Sequence, residues 1–147
     1  MSQVLLIEDN RADEELTVRA FKKVNLKNEI VVVRDGREAL DYLFGMGVHA
    51  ARARADLPAV ILLDLKLPRV HGLEVLRQIR ADERTRLLPV VILSGSREED
   101  DMVRSYSLGA AHVRKPVDVA EFLEAAKTLG LFWLLFNAPP SPPRGAT

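Results

Sequence analysis

Five residues of the kinds used in phosphoryl chemistry each follow a short apolar run of the sequence. They are three acids, a hydroxyl and an amine, namely Glu8, Asp9, Asp64, Ser94 and Lys115. Three carboxylates brought together repel one another, and a hard divalent cation with oxygen ligands, such as Mg²⁺, relieves that repulsion. With a cation bound, one carboxylate can attack phosphorus and form an aspartyl phosphate. The lysine could then compensate charge, and the serine could donate a hydrogen bond to the transferred group.

The apolar runs that precede these residues predict strands. Residues 4–7, 60–63 and 90–93 are apolar without alternation, which is typical of strands covered on both faces. Residues 30–33 form a fourth run, and a weaker fifth run lies near His112. If the strands are parallel, their carboxyl ends share one edge of a sheet, where open α/β folds bind ligands. We therefore expect the five residues to converge.

Apolar residues at helical spacing separate the predicted strands and predict five helices. The stripes are Leu16, Ala20, Phe21 and Val24; Ala39, Leu40, Leu43 and Phe44; Leu73, Leu76 and Ile79; Met102, Val103 and Tyr106; and Phe122, Leu123, Ala126 and Leu129. Strands that alternate with helices require right-handed crossovers. The sequence therefore predicts an α/β protein, a (βα)5 sandwich with a doubly wound, parallel, five-stranded sheet.

Composition narrows the classes of function. The chain has 147 residues, about one domain, and equal numbers of basic and acidic residues, 21 each, so no net charge attracts nucleic acid. The absence of cysteine excludes a disulfide framework, a thiol nucleophile and a cysteine zinc site. No apolar segment approaches the ~18 residues that cross a bilayer, and no signal peptide is recognisable. We expect a cytoplasmic protein without a nucleic-acid or membrane partner.

The C-terminal part of the sequence differs from the rest. We expect a domain over residues 1–130, followed by an apolar extension and a proline-rich tail over residues 131–147. Residues 131–136 read Leu-Phe-Trp-Leu-Leu-Phe, and no single helix face can bury all six. Exposed aromatic residues favour an interface, so we predict a homodimer. The predicted interface residues are Phe132, Trp133, Leu135 and Phe136. The alternative is a final helix that folds back over its own domain.

Each candidate residue also has an ordinary explanation when taken alone. Asp64 suits a turn or a helix cap, and Glu8 with Asp9 suits a solvated loop before a helix capped by Asn10. Ser94 suits a turn, and Lys115 a surface position before a proline. Their joint placement at the same end of different strands favours the phosphoryl site.

The motifs together resemble the response-regulator receiver domain. They are Leu6-Ile7-Glu8-Asp9-Asn10, Leu62-Leu63-Asp64-Leu65-Lys66-Leu67-Pro68 with Gly72, Leu93-Ser94-Gly95, Gly109-Ala110 and Lys115-Pro116. The resemblance implies a flavodoxin-like, CheY-like fold with strand order 2-1-3-4-5. It also implies a sensor histidine kinase that donates the phosphoryl group from its own phosphohistidine.

The resemblance assigns a role to each matching position. It implies Asp64 as phosphoacceptor, Glu8 and Asp9 as the acidic pocket, Ser94 as the switch hydroxyl and Lys115 as the phosphate-contacting lysine. It further implies Asp9, Asp64 and the backbone carbonyl of Lys66 as Mg²⁺ ligands. The product of such a domain is a conformation rather than a released chemical, so we expect no enzyme beyond its own phosphotransfer and autodephosphorylation.

The chain is most similar to stand-alone response regulators of bacterial and cyanobacterial phytochromes. This narrower resemblance depends on the lengthened connection at residues 46–56, the ending at residues 129–135 and the lack of an output domain. It implies a bacteriophytochrome kinase as partner and homodimerisation through the C-terminal region.

Two points stay open at the level of sequence. His112 stands three residues before Lys115, where the family often has a Tyr or Phe switch, and it suits either a switch or a structural, hydrogen-bonded histidine. Two other classes of function also fit the residues. One is a haloacid dehalogenase type of phosphatase, although such enzymes have an acid where Lys66 stands. The other is a binding module without phosphotransfer.

Overall fold

A five-stranded parallel sheet forms the centre of the computed structural model, which describes residues 3–23, 29–47, 57–99 and 109–128. The strands are β1 (Val4–Ile7), β2 (Ile30–Val33), β3 (Val60–Asp64), β4 (Val90–Ser94) and β5 (Ala111–Arg114). Their order is β2-β1-β3-β4-β5, and every neighbouring pair is parallel. The predicted fold class and strand order are confirmed.

Four helices of the described ranges cover the sheet. They are α1 (Arg11–Lys23), α2 (Gly36–Phe44), α3 (Gly72–Ala81) and α4 (Val119–Thr128). Residues 97–99 form a further helical turn. The predicted helix at Met102, Val103 and Tyr106 lies outside the described residues, as do residues 48–56 of the long connection. Within the described ranges, no helix is long and apolar enough to cross a lipid bilayer.

Two apolar clusters, one on each face of the sheet, explain why the strand sequences do not alternate. In β1, Leu5 and Ile7 pack on the side of α2 and α3, whereas Val4 and Leu6 pack on the opposite side with residues of α1 and α4. All four side chains are fully buried. Because both faces are covered, every strand position favours an apolar residue.

The register of the strands brings their carboxyl ends to one edge. Ile7 pairs with Leu63 across β1 and β3, and Asp64 pairs with Leu93 across β3 and β4. The backbone N–H of Lys115 donates to the carbonyl of Ser94 at 2.7 Å, which extends the pairing of β4 and β5 by one residue. The residues after each strand are therefore level with one another.

A close approach between α3 and the end of β3 explains one glycine of the sequence motif. A Cβ atom placed on Gly72 would lie 2.5 Å from the carbonyl oxygen of Asp64 and 2.7 Å from the Cα of Leu65. Both are backbone atoms and cannot move aside easily. Any larger residue at position 72 would displace the backbone that carries Asp64.

Candidate functional site

Three carboxylates meet at the carboxyl edge of the sheet, and we call Glu8, Asp9 and Asp64 the acid cluster. Each has one carboxylate oxygen within 4.8 Å of an oxygen of the other two. Glu8 follows β1 and is fully buried, Asp64 ends β3 and is 2% exposed, and Asp9 faces solvent. The cluster is thus buried on the protein side and open on the water side.

Lys115, which follows β5, extends its amine into the acid cluster. Its Nζ lies 3.2 Å from Glu8 Oε1 and 3.1 Å from Asp64 Oδ1. A third acid, Asp13, lies at 2.9 Å. Burial by itself would lower the pKa of Lys115, but the hydrogen bond to Asp13 and the charges of Asp64 and Glu8 outweigh burial and raise this pKa. Lys115 is therefore a permanent cation beside Asp64.

The negative charge of Glu8 is unfavourable in this site. Burial, together with its hydrogen bond to Asp64 and the negative charge of Asp64, raises the pKa of Glu8 to about 8. Lys115 acts in the opposite direction but does not cancel these effects. One ammonium group is thus insufficient for three clustered carboxylates, and the site favours additional positive charge.

Asp13 is a member of the site that sequence reasoning missed. The sequence suggested only a helix-capping role for this region, and Asn10 Oδ1 does accept from the Asp13 backbone N–H at 2.9 Å. The side chain of Asp13, however, binds Lys115. The signal in the sequence was position, because Asp13 lies in the first turn of a helix that begins at the same sheet edge as Glu8 and Asp9.

Ser94 and His112 form a hydrogen-bonded pair beside the acid cluster. Ser94 ends β4 and is fully buried, and its Oγ shares a hydrogen bond with Nε2 of His112 from β5. This contact fits the structural interpretation of His112. The roles of Ser94 and His112 as switches stay predictions.

A solvent-open cleft of about 390 Å³ gives access to the predicted phosphoacceptor. Its lining residues are Asp13, Leu16, Asp64, Lys66, Gly95, Glu99, Lys115 and Pro116. Lys66 is exposed, and its backbone N–H lies 3.4 Å from Asp64 Oδ1. Its role as a metal ligand through its carbonyl stays a prediction. Asp64 thus forms part of the wall of an open cleft.

The donor set of the acid cluster fits a divalent metal ion. All three side chains offer oxygen, the ligand that Mg²⁺ and Mn²⁺ share, and the oxygens are close enough to contact one ion. The exposed side of Asp9 leaves space for the water ligands that Mg²⁺ retains.

The predicted interface residues Phe132, Trp133, Leu135 and Phe136 lie outside the described residues. The boundary at residue 130 does as well, so the predicted division of the chain into domain and extension stays a prediction.

The motifs, the fold and the acid cluster agree with one protein family. The sequence profile of the response regulator receiver domain matches residues 4–127. The chain belongs to the response regulator receiver family. Receiver-domain response regulators are generally signalling proteins of two-component systems rather than enzymes.

Two relatives are similar to this chain over most of its length. The probable methanogenesis regulatory protein FilR2 of Methanothrix harundinacea is 40% identical over 140 residues, which cover 95% of this chain and 88% of FilR2. Response regulator Rcp1 of Synechocystis is 33% identical over 132 residues, which cover 89% of this chain and 88% of Rcp1.

Solved structures of response regulators are also similar to this chain. The bacteriophytochrome response regulator AtBRR matches with a TM-score of 0.86 and 52% identity, covering 94% of this chain and 99% of that one. The Mn²⁺-bound form of Rcp1 matches with a TM-score of 0.72 and 32% identity, covering 96% of this chain and 100% of that one. The predicted similarity to stand-alone phytochrome response regulators is confirmed.

Proposed function

We propose that this response regulator accepts a phosphoryl group on Asp64 from a sensor histidine kinase and signals through a change of conformation and of protein contacts. One observation carries the proposal: Asp64 lies in the acid cluster with the Lys115 ammonium 3.1 Å from its Oδ1, and it lines an open cleft. This arrangement combines a nucleophile, a permanent cation and access for a donor.

The chemistry is the transfer of a phosphoryl group between two side chains. A carboxylate oxygen of Asp64 attacks phosphorus, and the bond from phosphorus to the imidazole nitrogen of the donor breaks. The electron pair of that bond remains on the nitrogen, which takes up a proton from water. Such a transfer depends on positioning and charge compensation more than on a general base.

The residues around Asp64 have complementary tasks in this proposal. Lys115 compensates charge on the transferred group, and Ser94 can donate a hydrogen bond to it after leaving His112. Glu8, Asp9 and Asp64, with the Lys66 carbonyl, would hold Mg²⁺, which when bound neutralises the carboxylates and the phosphoryl oxygens. The oxygen ligands of the acid cluster support the proposed divalent ion, and so does the solved Mn²⁺-bound form of the relative Rcp1.

The proposed kinase partner is a bacteriophytochrome. The 52% identity with AtBRR, a bacteriophytochrome response regulator, supports this assignment. A phosphotransfer profile against the purified histidine kinases of the same genome tests it. We expect rapid transfer from the red-light sensor kinase, and a clear preference for another kinase would overturn the partner while leaving the phosphoacceptor intact.

Labelling of Asp64 tests the core of the proposal. With Mg²⁺ and a small phosphoryl donor such as acetyl phosphate, the protein should gain one acid-stable, base-labile phosphate, and Asp64→Asn should gain none. The matched control is Asp118→Asn, because Asp118 is an exposed helix-capping residue whose Oδ1 accepts from Ala120 N–H at 2.7 Å, and Asn caps equally well. Labelling that persists in Asp64→Asn contradicts the proposal.

The same experiment separates the two other classes of function. A phosphatase of the haloacid dehalogenase type would release phosphate catalytically from small esters, whereas a receiver gains stoichiometric label. A binding module without phosphotransfer would gain no label at all. The exposed Lys66, where such a phosphatase needs its second acid, supports the receiver.

We further propose a symmetric dimer through residues 131–136. The support is the sequence, whose consecutive Leu and aromatic residues favour an interface. Sedimentation at tens of micromolar should give a dimer that Trp133→Ala weakens. A monomer unaffected by this substitution would remove the dimer and favour the alternative of a helix folded back on its own domain.

A further inference from the structure

A buried acid outside the acid cluster accepts hydrogen bonds from two donors of the loop that follows Ser94. Glu99 is only 5% exposed and lines the same cleft as Asp64 and Lys115. Its Oε2 accepts from the Gly95 backbone N–H at 3.1 Å and from the Ser96 hydroxyl at 3.0 Å. Glu99 thus takes up two hydrogen-bond donors at the rim of the cleft.

This arrangement is costly for a residue that merely caps a helix. Ser96 and Glu99 have the spacing of a capping box, and Ser96 Oγ accepts from the Glu99 backbone N–H at 3.2 Å. The second bond of a capping box goes to the N–H of the cap residue, yet here the carboxylate reaches Gly95 instead. The other oxygen, Oε1, is buried and has no hydrogen-bond partner among the described residues. A buried, half-satisfied carboxylate is unfavourable and suggests a function.

Gly95 is placed where its N–H could serve a phosphoryl group. It follows β4 by one residue, two positions beyond Leu93, which pairs with Asp64. A Cβ atom at Gly95 would lie 3.9 Å from Lys115 Cε and 3.4 Å from Glu99 Oε2. Gly95 therefore lies close both to the lysine that contacts Asp64 and to the carboxylate of Glu99.

We propose that Glu99 is a positioning residue that holds the Gly95–Ser96 loop in its unphosphorylated conformation and is expelled when Asp64 carries a phosphoryl group. The inference rests on the proposed function. A phosphoryl group brings new negative charge into the cleft that Glu99 lines, and it repels the Glu99 carboxylate, because solvent screens a buried charge less than an exposed one. Its oxygens also compete with Oε2 for the Gly95 N–H. Because Glu99 belongs to the helical turn at residues 97–99, its departure would move the start of that turn.

The first test compares two neutral substitutions at adjacent positions. Glu99→Gln keeps the shape and the capping ability of the side chain but removes its charge, and Glu98→Gln removes the same charge from an exposed neighbour. Labelling with acetyl phosphate and Mg²⁺ is followed by intact mass. We expect Glu99→Gln to be phosphorylated about ten-fold faster than wild type, and Glu98→Gln within about two-fold of wild type because its charge is screened.

The second test uses the unaltered protein, so it does not depend on the folding of a variant. Beryllofluoride with Mg²⁺ serves as a stable substitute for the phosphoryl group. We expect the Gly95 amide resonance to shift on its addition, and the Glu99 side-chain carboxyl resonance to change as its hydrogen bonds are lost.

Each result bears on one proposal only. Wild-type protein that gains no label contradicts the proposed function. Wild-type protein that is labelled, with Glu99→Gln no faster than Glu98→Gln, overturns the role of Glu99. A Glu99 carboxyl resonance unchanged by beryllofluoride, while the resonances of the acid cluster shift, overturns it as well.

Discussion

The two halves of the sheet edge carry polar residues in opposite electrostatic conditions. The acid cluster, at the ends of β1 and β3, holds three carboxyl groups close together and has one ammonium beside it. The ends of β4 and β5 hold the Ser94–His112 pair and the Gly95–Glu99 contact, in which the Ser94 hydroxyl and the Gly95 N–H are already hydrogen-bonded. The acid cluster attracts a cation without rearrangement. At the ends of β4 and β5, existing hydrogen bonds must break before Ser94 or Gly95 can bind a ligand.

This difference separates the residues that bind a ligand from the residues that change conformation when it is bound. The acids of the cluster are held close together by the fold despite their repulsion, so they are ready to bind a cation without rearrangement. Groups that satisfy one another define a resting state, and a ligand shifts the population only if it offers better partners. Four predictions test this division, beginning with the largest expected effect.

Removal of an acid from the cluster should weaken metal binding most. For Asp9→Asn we expect Mg²⁺ affinity to fall on the order of a hundred-fold, since even residues that only support metal ligands contribute ten- to hundred-fold. Isothermal titration with Mg²⁺ measures the effect. The control is Glu15→Gln, an exposed acid of α1, which should bind as wild type does. Equal affinities in the two variants would show that the acid cluster is not the metal site.

The stability of the metal-free protein should fall as the pH rises towards 8. The pKa of Glu8 is raised from 4.5 to about 8, so the folded state binds the proton more tightly than the unfolded chain. The resulting stabilisation is complete below pH 4.5 and is lost as the pH rises through about 8, by at most about 1.4 kcal/mol per pH unit.

Urea unfolding in EDTA at pH 5.5 and pH 8 measures this loss. Glu8→Gln has no proton to lose, and its free energy of unfolding should depend less on pH. If the wild type and Glu8→Gln respond equally to pH, repulsion within the acid cluster is not the cause.

Removal of Asp13 should cost less, because Lys115 keeps its other two partners. For Asp13→Asn we expect the free energy of unfolding to fall by about 1 kcal/mol, the value of a partly exposed, charged hydrogen bond. Urea unfolding at pH 7 measures it, with Glu15→Gln again as the control. A loss as small as that of the control would mean that the 2.9 Å contact adds nothing to stability.

A substitution at the ends of β4 and β5 should leave metal binding unchanged. Ser94→Ala removes the hydroxyl that bonds to His112, and we expect a loss of about 0.5 to 1 kcal/mol in unfolding free energy. Mg²⁺ affinity should stay within about two-fold of wild type, because Ser94 is not in the acid cluster. A large loss of Mg²⁺ affinity would show that the two halves are coupled before phosphorylation.

Sequence reasoning succeeded where the chemistry of a residue follows from its place in a strand. Asp64 directly follows residues 60–63, so the periodicity that located β3 also located the acid at its end. It failed for Asp13, in the first turn of α1, and for Glu99, in the helical turn at residues 97–99. Acids are common in such turns because they interact favourably with the helix dipole. For Asp13 the one pointer to the site was its place beside Glu8 and Asp9 in the chain, and for Glu99 no local pattern pointed to the site.

The sequence by itself determined the order of strands and helices, the fold class and the residues at the carboxyl edge of the sheet. Hydrophobic periodicity and motif spacing are local properties, and the parallel sheet converts them into one edge. Only the tertiary structure decided which of these residues touch: that Lys115 bonds to Asp13 as well as to Asp64, that Ser94 is paired with His112, and that Glu99 holds Gly95. Such contacts depend on strand register and side-chain direction across residues far apart in the chain, and no local pattern encodes them.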